Sequence, residues 1–257
     1  MSATPLRQAR LDVVPSAPPF SLPITMAFQP IVDAGSRDVF AYEALVRGAD
    51  GQGALQVLSA VDRSNRRGFD RACRSTALGL AAELGLKHRL AALSINFMPN
   101  AVADPGLCGE QMVEACRAAD FPAERIIFEF TESEPVEDMD HLAQVIRAYR
   151  AMGFRSAIDD FGAGHSGLTL LARFQPDIVK LDMELVRGID SDRVRRAIVA
   201  SIRRMCDDLG VVIVAEGIET AGEYAALRDL GVSLLQGYLF ARPQVAALPE
   251  PCWPGPR

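Results

Sequence analysis

Short apolar runs alternate with longer amphipathic stretches along most of this chain, and that alternation predicts its elements. Eight runs read as strands: Thr25–Val32, Asp38–Val46, Ala92–Phe97, Arg125–Thr131, Ser156–Asp160, Asp177–Asp182, Val211–Ala215 and Ser233–Leu235. After the second run, each connection is long enough for a crossover helix. Arg193–Leu209 is one example, with Val194, Ala197, Ile198, Ile202 and Met205 at helical spacing. Strand–helix alternation predicts a parallel sheet with helices outside it. Eight such strands in roughly 225 residues predict a TIM-type (β/α)8 barrel. Only Asp33–Arg37 separates the first two strands. A parallel crossover needs about a dozen residues, whereas a hairpin needs few. The predicted fold is therefore α/β, a barrel variant with the first strand antiparallel.

The ends read differently. Residues 1–22 hold Pro5, Pro15, Pro18 and Pro19 without apolar periodicity, which predicts a flexible tail. Residues 23–247 read as one domain and 248–257 as a second proline-rich tail, where Trp253 is the one side chain large enough to dock.

Composition narrows the functional classes. Of 257 residues, 49% are hydrophobic and 23% charged, a globular balance rather than a disordered one. The net charge of −6 gives no general attraction to nucleic acid or to an anionic membrane, and neither partner is expected. An anionic ligand would need a local source of positive charge. The arginines of Arg193–Arg204 read as the solvated face of an amphipathic helix. Five scattered cysteines without a CxxC pair read as reduced thiols, and the first residues lack the apolar core of a signal peptide. No run approaches the roughly 18 apolar residues of a membrane span. A cytoplasmic location is expected.

The chemistry collects where the strands end, which is where such barrels carry their active sites. Glu43 and Arg47 lie on the second strand, and Asn96 ends the third. Glu129 and Glu132 belong to the fourth, Asp159 and Asp160 to the fifth, and Lys180 and Asp182 to the sixth. The seventh runs into Glu216 and Glu219, and the eighth leads to Gln236. Any one acid at a strand end is most simply a rim residue or a helix cap. Two carboxylates about 4 Å apart repel by roughly 4 kcal/mol at an effective dielectric near 20. Several converging on one mouth therefore call for cations or bound protons. All-oxygen ligands favour hard ions such as Mg²⁺ or Mn²⁺, and the number of carboxylates suggests two of them. Paired metals commonly clamp the attacking and leaving oxygens of a phosphoryl displacement.

Eight ordered segments make the pattern specific. They are AFQPIV (Ala27–Val32), AYEALVR (Ala41–Arg47), SINF (Ser94–Phe97), FEFTES (Phe128–Ser133), IDDFGAG (Ile158–Gly164), DIVKLD (Asp177–Asp182), AEGIET (Ala215–Thr220) and QGYLFARP (Gln236–Pro243). In these segments the chain resembles the EAL-domain family, which hydrolyses one phosphodiester bond of cyclic di-GMP to give linear pGpG. The resemblance implies that Glu43, Asn96, Glu129 and Asp159 ligate one metal, and that Asp159, Asp160 and Glu216 surround a second. It implies that Lys180 orients the attacking water and that Glu216 is a candidate base. Gln29 and Arg47 would contact phosphates, with Gln236, Asp182 and Pro243 along the same cleft. Glu132, Gly162, Gly164 and Glu219 would support the metal site and its glycine-bearing loop. Mg²⁺ or Mn²⁺ would serve cleavage, Ca²⁺ binding without cleavage, and a homodimer and a regulatory protein in trans would be partners. Some members of the family bind the dinucleotide or a protein without cleaving anything. Those usually lack a ligand or the lysine, and this chain carries all of them. It departs from the common pattern at Ala163 and His165, and in the short glycine-rich stretch after Arg47.

Overall fold

The computed structural model of the protein describes residues 20–132, 137–164 and 166–255. Most of the predicted N-terminal tail lies outside the described residues, as does His165. β1 (Ile24–Asp33) and β2 (Val39–Gly48) form the antiparallel hairpin that the short link predicts. Its turn is closed by the Asp33 carboxylate, which accepts from the Gly35 N–H at 2.7 Å. α1 (Ala54–Leu58) and α2 (Arg66–Glu83) lead to β3 (Ala92–Asn96). Then come α3 (Pro105–Ala118), β4 (Ile126–Thr131), α4 (Met139–Ala151), β5 (Arg155–Phe161), α5 (Gly167–Arg173) and β6 (Ile178–Leu181). The chain continues through α6 (Met183–Val186), α7 (Arg193–Leu209), β7 (Val212–Ala215), α8 (Ala221–Asp229), β8 (Leu234–Leu235) and β9 (Gln244–Val245). β2 to β8 lie side by side and parallel, and β1 closes the barrel, antiparallel to both β2 and β8.

Two separate apolar cores hold this arrangement. The larger lies between the barrel and the helices. The smaller is a plug inside the barrel, with one residue from each of β1 to β8: Ile31, Ala41, Ala92, Ile127, Ala157, Ile178, Val214 and Leu234. Side chains alternate along a strand with period two. Two residues beyond each plug residue the next inward position is polar: Glu43, Ser94, Glu129, Asp159, Lys180, Glu216 and Gln236. On β1 the polar residue, Gln29, comes two residues before Ile31 rather than after it, because that strand runs the other way. The plug keeps water out from below, so the polar layer opens only to the C-terminal mouth.

Two expectations need correction. The end from residue 248 is not a loose tail over its described part. Tyr42 Oη donates to the Pro249 carbonyl at 3.1 Å. Arg89 pairs with Glu250 at 2.8 Å, and the Trp253 ring packs edge-on against Phe240 with the Arg37 guanidinium above it. A large aromatic and a buried tyrosine hydroxyl thus find partners that the proline content conceals. On α7 the helix itself forms as predicted, but it faces the barrel through Val199 and Cys206. Val194 and Ile198 of the predicted apolar stripe are 66% and 41% exposed.

Behind β3, a buried ion pair joins Asp70 to Arg74 on successive turns of α2 at 2.6 Å. Asp70 also accepts from the Met98 N–H at 3.0 Å, and Arg74 reaches the Tyr149 hydroxyl at 3.3 Å. Removing one partner leaves a buried charge unpaired, so Asp70→Ala is expected to lower the unfolding free energy by about 3–5 kcal/mol. Urea denaturation checks this; a loss below about 1 kcal/mol would place the pair among weak surface ion pairs.

Candidate active site

Strand register brings the polar layer together. Glu43 lies opposite Gln29 on one side and Ser94 on the other, Asn96 opposite Glu129, and Thr131 opposite Asp159. Lys180 stands at the centre, 1% exposed. Its Nζ lies 2.6 Å from Glu216, 2.8 Å from Glu129, 3.0 Å from Asp159 and 3.4 Å from Glu43. Glu43 further accepts from Asn96 Nδ2 at 3.0 Å and from Gln236 Nε2 at 2.8 Å. Ser94 Oγ donates to Glu129 from below.

One lysine does not neutralise these carboxylates. Burial, opposed by Lys180 and reinforced by Glu43 and Asp159, pushes Glu129 up to about 8. Burial also lifts Asp159, against Lys180 and with Glu43 and Asp160, to about 6. Burial and Asp159 raise Glu216 well above the carboxylate range. Burial would raise Glu43 too, but Lys180 and the amides of Gln236 and Asn96 hold it below its ordinary value. Burial disfavours the charged Lys180, yet the surrounding carboxylates outweigh it and hold its pKa well above the ordinary lysine value.

The donor set fits metal ions. Carboxylate oxygens of Glu43, Glu129 and Asp159 lie within 4.8 Å of one another, as do those of Asp159, Asp160 and Glu216. The two triads share Asp159. Asp159 Oδ1 and Glu216 Oε1 are buried, and although both lie near Lys180 they accept no aligned hydrogen bond among the described residues. Oxygen-only triads whose buried acceptors share a single ammonium suit hard divalent cations.

The other expected residues divide. Gln29 faces the mouth, donating to the Ala241 carbonyl at 3.1 Å. Arg47 lines the cleft on the α2 side and donates to its neighbour's carbonyl, Val46, at 2.7 Å. Glu132 accepts from the backbone N–H groups of Gly162, Ser166 and Gly167 at 2.9, 2.7 and 2.6 Å, which ties down both described sides of the loop after β5. Gly162 has φ +99°, and a Cβ there would strike Leu185, so the turn requires glycine. Gly164 packs against Glu132, whose carboxylate a Cβ would crowd. Glu219 pairs with Arg187 at 2.8 Å. The Asp182 carboxylate caps α6, accepting from the Glu184 N–H at 2.8 Å. Asp182 and Pro243 are not among the residues lining either cleft beside the carboxylates.

Sequence reasoning passed over several residues. Ser94 could have been found from its two-residue offset from Asn96. Thr131, which donates to Asp160 at 3.0 Å, stands two residues beyond Glu129 on the same face. Arg187, at the mouth, carries no local signal, whereas Tyr238 and Gly237 sit within QGYLFARP. A Cβ at Gly237 would run into the backbone of Ile218.

Comparison with known proteins agrees with this geometry. The EAL domain family model matches residues 23–243. The blue light- and temperature-regulated antirepressor BluF of Escherichia coli is 34% identical over 232 residues, 89% of this chain and 56% of BluF. Relatives from Escherichia coli, Shewanella oneidensis and Pseudomonas aeruginosa are named cyclic di-GMP phosphodiesterases, and the chain spans 18%, 19% and 30% of their lengths. Among solved structures, a standalone versatile EAL protein from Vibrio cholerae in its c-di-GMP-bound form is 47% identical with TM-score 0.86, covering 91% of this chain and 97% of that one. Klebsiella pneumoniae BlrP1 in complex with manganese and cyclic di-GMP is 39% identical with TM-score 0.85, covering 91% and 59%. By its barrel, its ordered motifs and these likenesses, the chain belongs to the EAL-domain family.

Proposed function

We propose that the protein hydrolyses cyclic di-GMP to linear pGpG with two divalent cations, Mg²⁺ or Mn²⁺. The observation that carries this reading is the pair of carboxylate triads sharing Asp159 around a buried Lys180. Glu43, Asn96, Glu129 and Asp159 would hold one ion, and Asp159, Asp160 and Glu216 the other. When bound, such ions stabilise charge on phosphoryl oxygens and lower the pKa of water. Lys180 orients the attacking water through its ammonium donors. Glu216, ionised once cations offset its neighbours, would accept a proton from that water. Two clefts of about 340 and 330 Å³ flank the triads and share Glu43 and Asp159. They suit the two nucleoside arms of a cyclic dinucleotide, with Gln29, Arg47 and Gln236 along them. A cytoplasmic place of action goes with a second-messenger substrate.

The test is chromatography of cyclic di-GMP after incubation with the protein and Mg²⁺ or Mn²⁺, with Glu43→Ala alongside. Formation of pGpG that Glu43→Ala abolishes is the expected outcome. The likeness to an antirepressor favours a second reading, a cyclic di-GMP-responsive interaction module. Binding in Ca²⁺ without any pGpG in Mg²⁺ or Mn²⁺ would select that reading instead.

A homodimer belongs to the same proposal. An exposed groove of about 540 Å³ runs along α7, lined by Leu168, Val194, Ala197, Ile198, Ile202 and Met205. It adjoins α5, which follows the loop tied to Glu132. Ile198→Asp is expected to shift a dimer to monomer in sedimentation velocity. Identical sedimentation of variant and wild type would remove this face as the interface.

A further inference from the structure

The second cleft has an unusual balance of charge. Five carboxylates line it: Glu43, Asp159, Asp160, Glu216 and Glu219. Arg187 is the one basic side chain among the described residues that line it. Cations at the two triads would answer four of those carboxylates, and Arg187 answers the fifth. Its Nη2 lies 2.8 Å from Glu219 Oε1, with side-chain exposure of 35%. Nη1 stands 3.8 Å from Glu223. Glu223 is itself fixed, accepting from the N–H groups of Gly188, Glu219 and Thr220 at 2.9, 2.9 and 3.0 Å.

This arrangement holds the guanidinium in place without using it up. Arginine carries five side-chain N–H donors in a planar fork, and the Arg187 guanidinium makes one aligned hydrogen bond among the described residues. Gly217, at φ +70°, lets the turn after β7 close onto Met183 in α6, the helix that leads directly into Arg187. Arg187 lines the same cleft as Asp160 and Glu216. The first cleft, which shares Glu43 and Asp159 with this one, is lined by one arginine as well, Arg47. A ligand with two phosphates, spanning both clefts, would place one over the triads and leave the other to be met by an arginine.

Resting on the cyclic di-GMP reading above, we infer that Arg187 is a phosphate-binding residue of the second cleft and holds the phosphate that is not cleaved. It acts on binding rather than on the bond that breaks. A purely structural Arg187 would only tie the turn after β7 to α6.

The experiment compares wild type, Arg187→Ala and Arg187→Lys. Calorimetry with cyclic di-GMP in Ca²⁺ at low and high salt gives Kd, and pGpG formation in Mn²⁺ gives KM and kcat. Loss of one charge-assisted contact is expected to raise Kd and KM of Arg187→Ala about tenfold or more. On the same argument kcat changes by less than about threefold. Arg187→Lys recovers part of the affinity, since it keeps the charge and loses the fork. The salt dependence of Kd flattens in Arg187→Ala, because one screened charge contact to the ligand is gone. Arg187→Lys carries the same test should the alanine variant fail to fold. Unchanged Kd and KM would overturn the inference, as would a fall in kcat at constant KM, while leaving the hydrolase reading intact. Wild type that neither binds nor cleaves cyclic di-GMP would overturn both.

Discussion

Lys180→Met is expected to lose at least about a hundredfold in pGpG formation, the scale for removing one preorganised electrostatic element. The same change should destabilise the metal-free protein. Lys180 is buried at 1% exposure within 3.4 Å of four carboxylates, and methionine has similar length without the charge. Removing one partner of a buried ion pair costs about 3–5 kcal/mol, and here the carboxylates left behind also repel one another. Divalent cations take over part of that neutralisation. The stability deficit of Lys180→Met should therefore be largest in chelator and shrink in Mn²⁺, while the catalytic deficit persists. Thermal melts in both conditions, beside the product assay, read the two effects separately. A variant that melts like wild type in chelator would show that Lys180 does not hold the carboxylates together.

The second large effect is the response of the native protein to metal and pH. Binding to the folded state alone adds about 2.7 kcal/mol when the ion is at a hundred times its dissociation constant. For a domain of this size, that corresponds to a melting shift of about 5–10 °C. The sign of the pH effect follows from the carboxylates. Asp159 is raised to about 6 and Glu129 to about 8, and Glu216 is raised as well. Unfolded, such groups titrate near about 4. The folded state thus binds more protons across that interval, and the contribution of these groups is complete below about 4 and lost as pH rises through their folded values. Glu43, held low, contributes in the opposite sense, above its unfolded value. Lys180, held high, keeps its contribution throughout neutral pH and loses it only above its folded value. Without metal, stability should fall from about pH 5 to pH 8, since the three raised groups lose their extra protons across that interval while the contribution of Glu43 stays constant. Metal requires these carboxylates ionised, so its stabilisation should be greater at pH 8 than at pH 6. Melting in chelator and in Mn²⁺ across that range tests both trends. A metal-induced shift that is flat with pH would mean that the ions bind away from these triads.

The fold was legible because strand period and connection length are local properties. Eight runs with crossover-length links implied the barrel, and the link Asp33–Arg37 implied the reversed first strand, which pairs antiparallel with both neighbours. The candidate metal ligands were legible for a related reason: acids and amides recur at the ends of apolar strands, in motifs that resemble one family. Asp182 belongs to the same motif as Lys180, and the structure adds a local role that the motif does not show: its carboxylate caps α6.

The sequence alone determined the elements, their order, the orientation of β1 and the set of polar residues facing the mouth. These depend on side-chain alternation and chain length, which act over a few residues. Tertiary structure decided which of those residues share one centre. Barrel closure sets distances between strands far apart in sequence, and only that closure puts Lys180 against Glu43, Glu129, Asp159 and Glu216 together. It also decided that Val194 and Ile198 face outward, that Trp253 docks on Phe240, and that Arg187 stands in the second cleft. Each of these depends on what a neighbouring element presents at that place, and no local spacing encodes it.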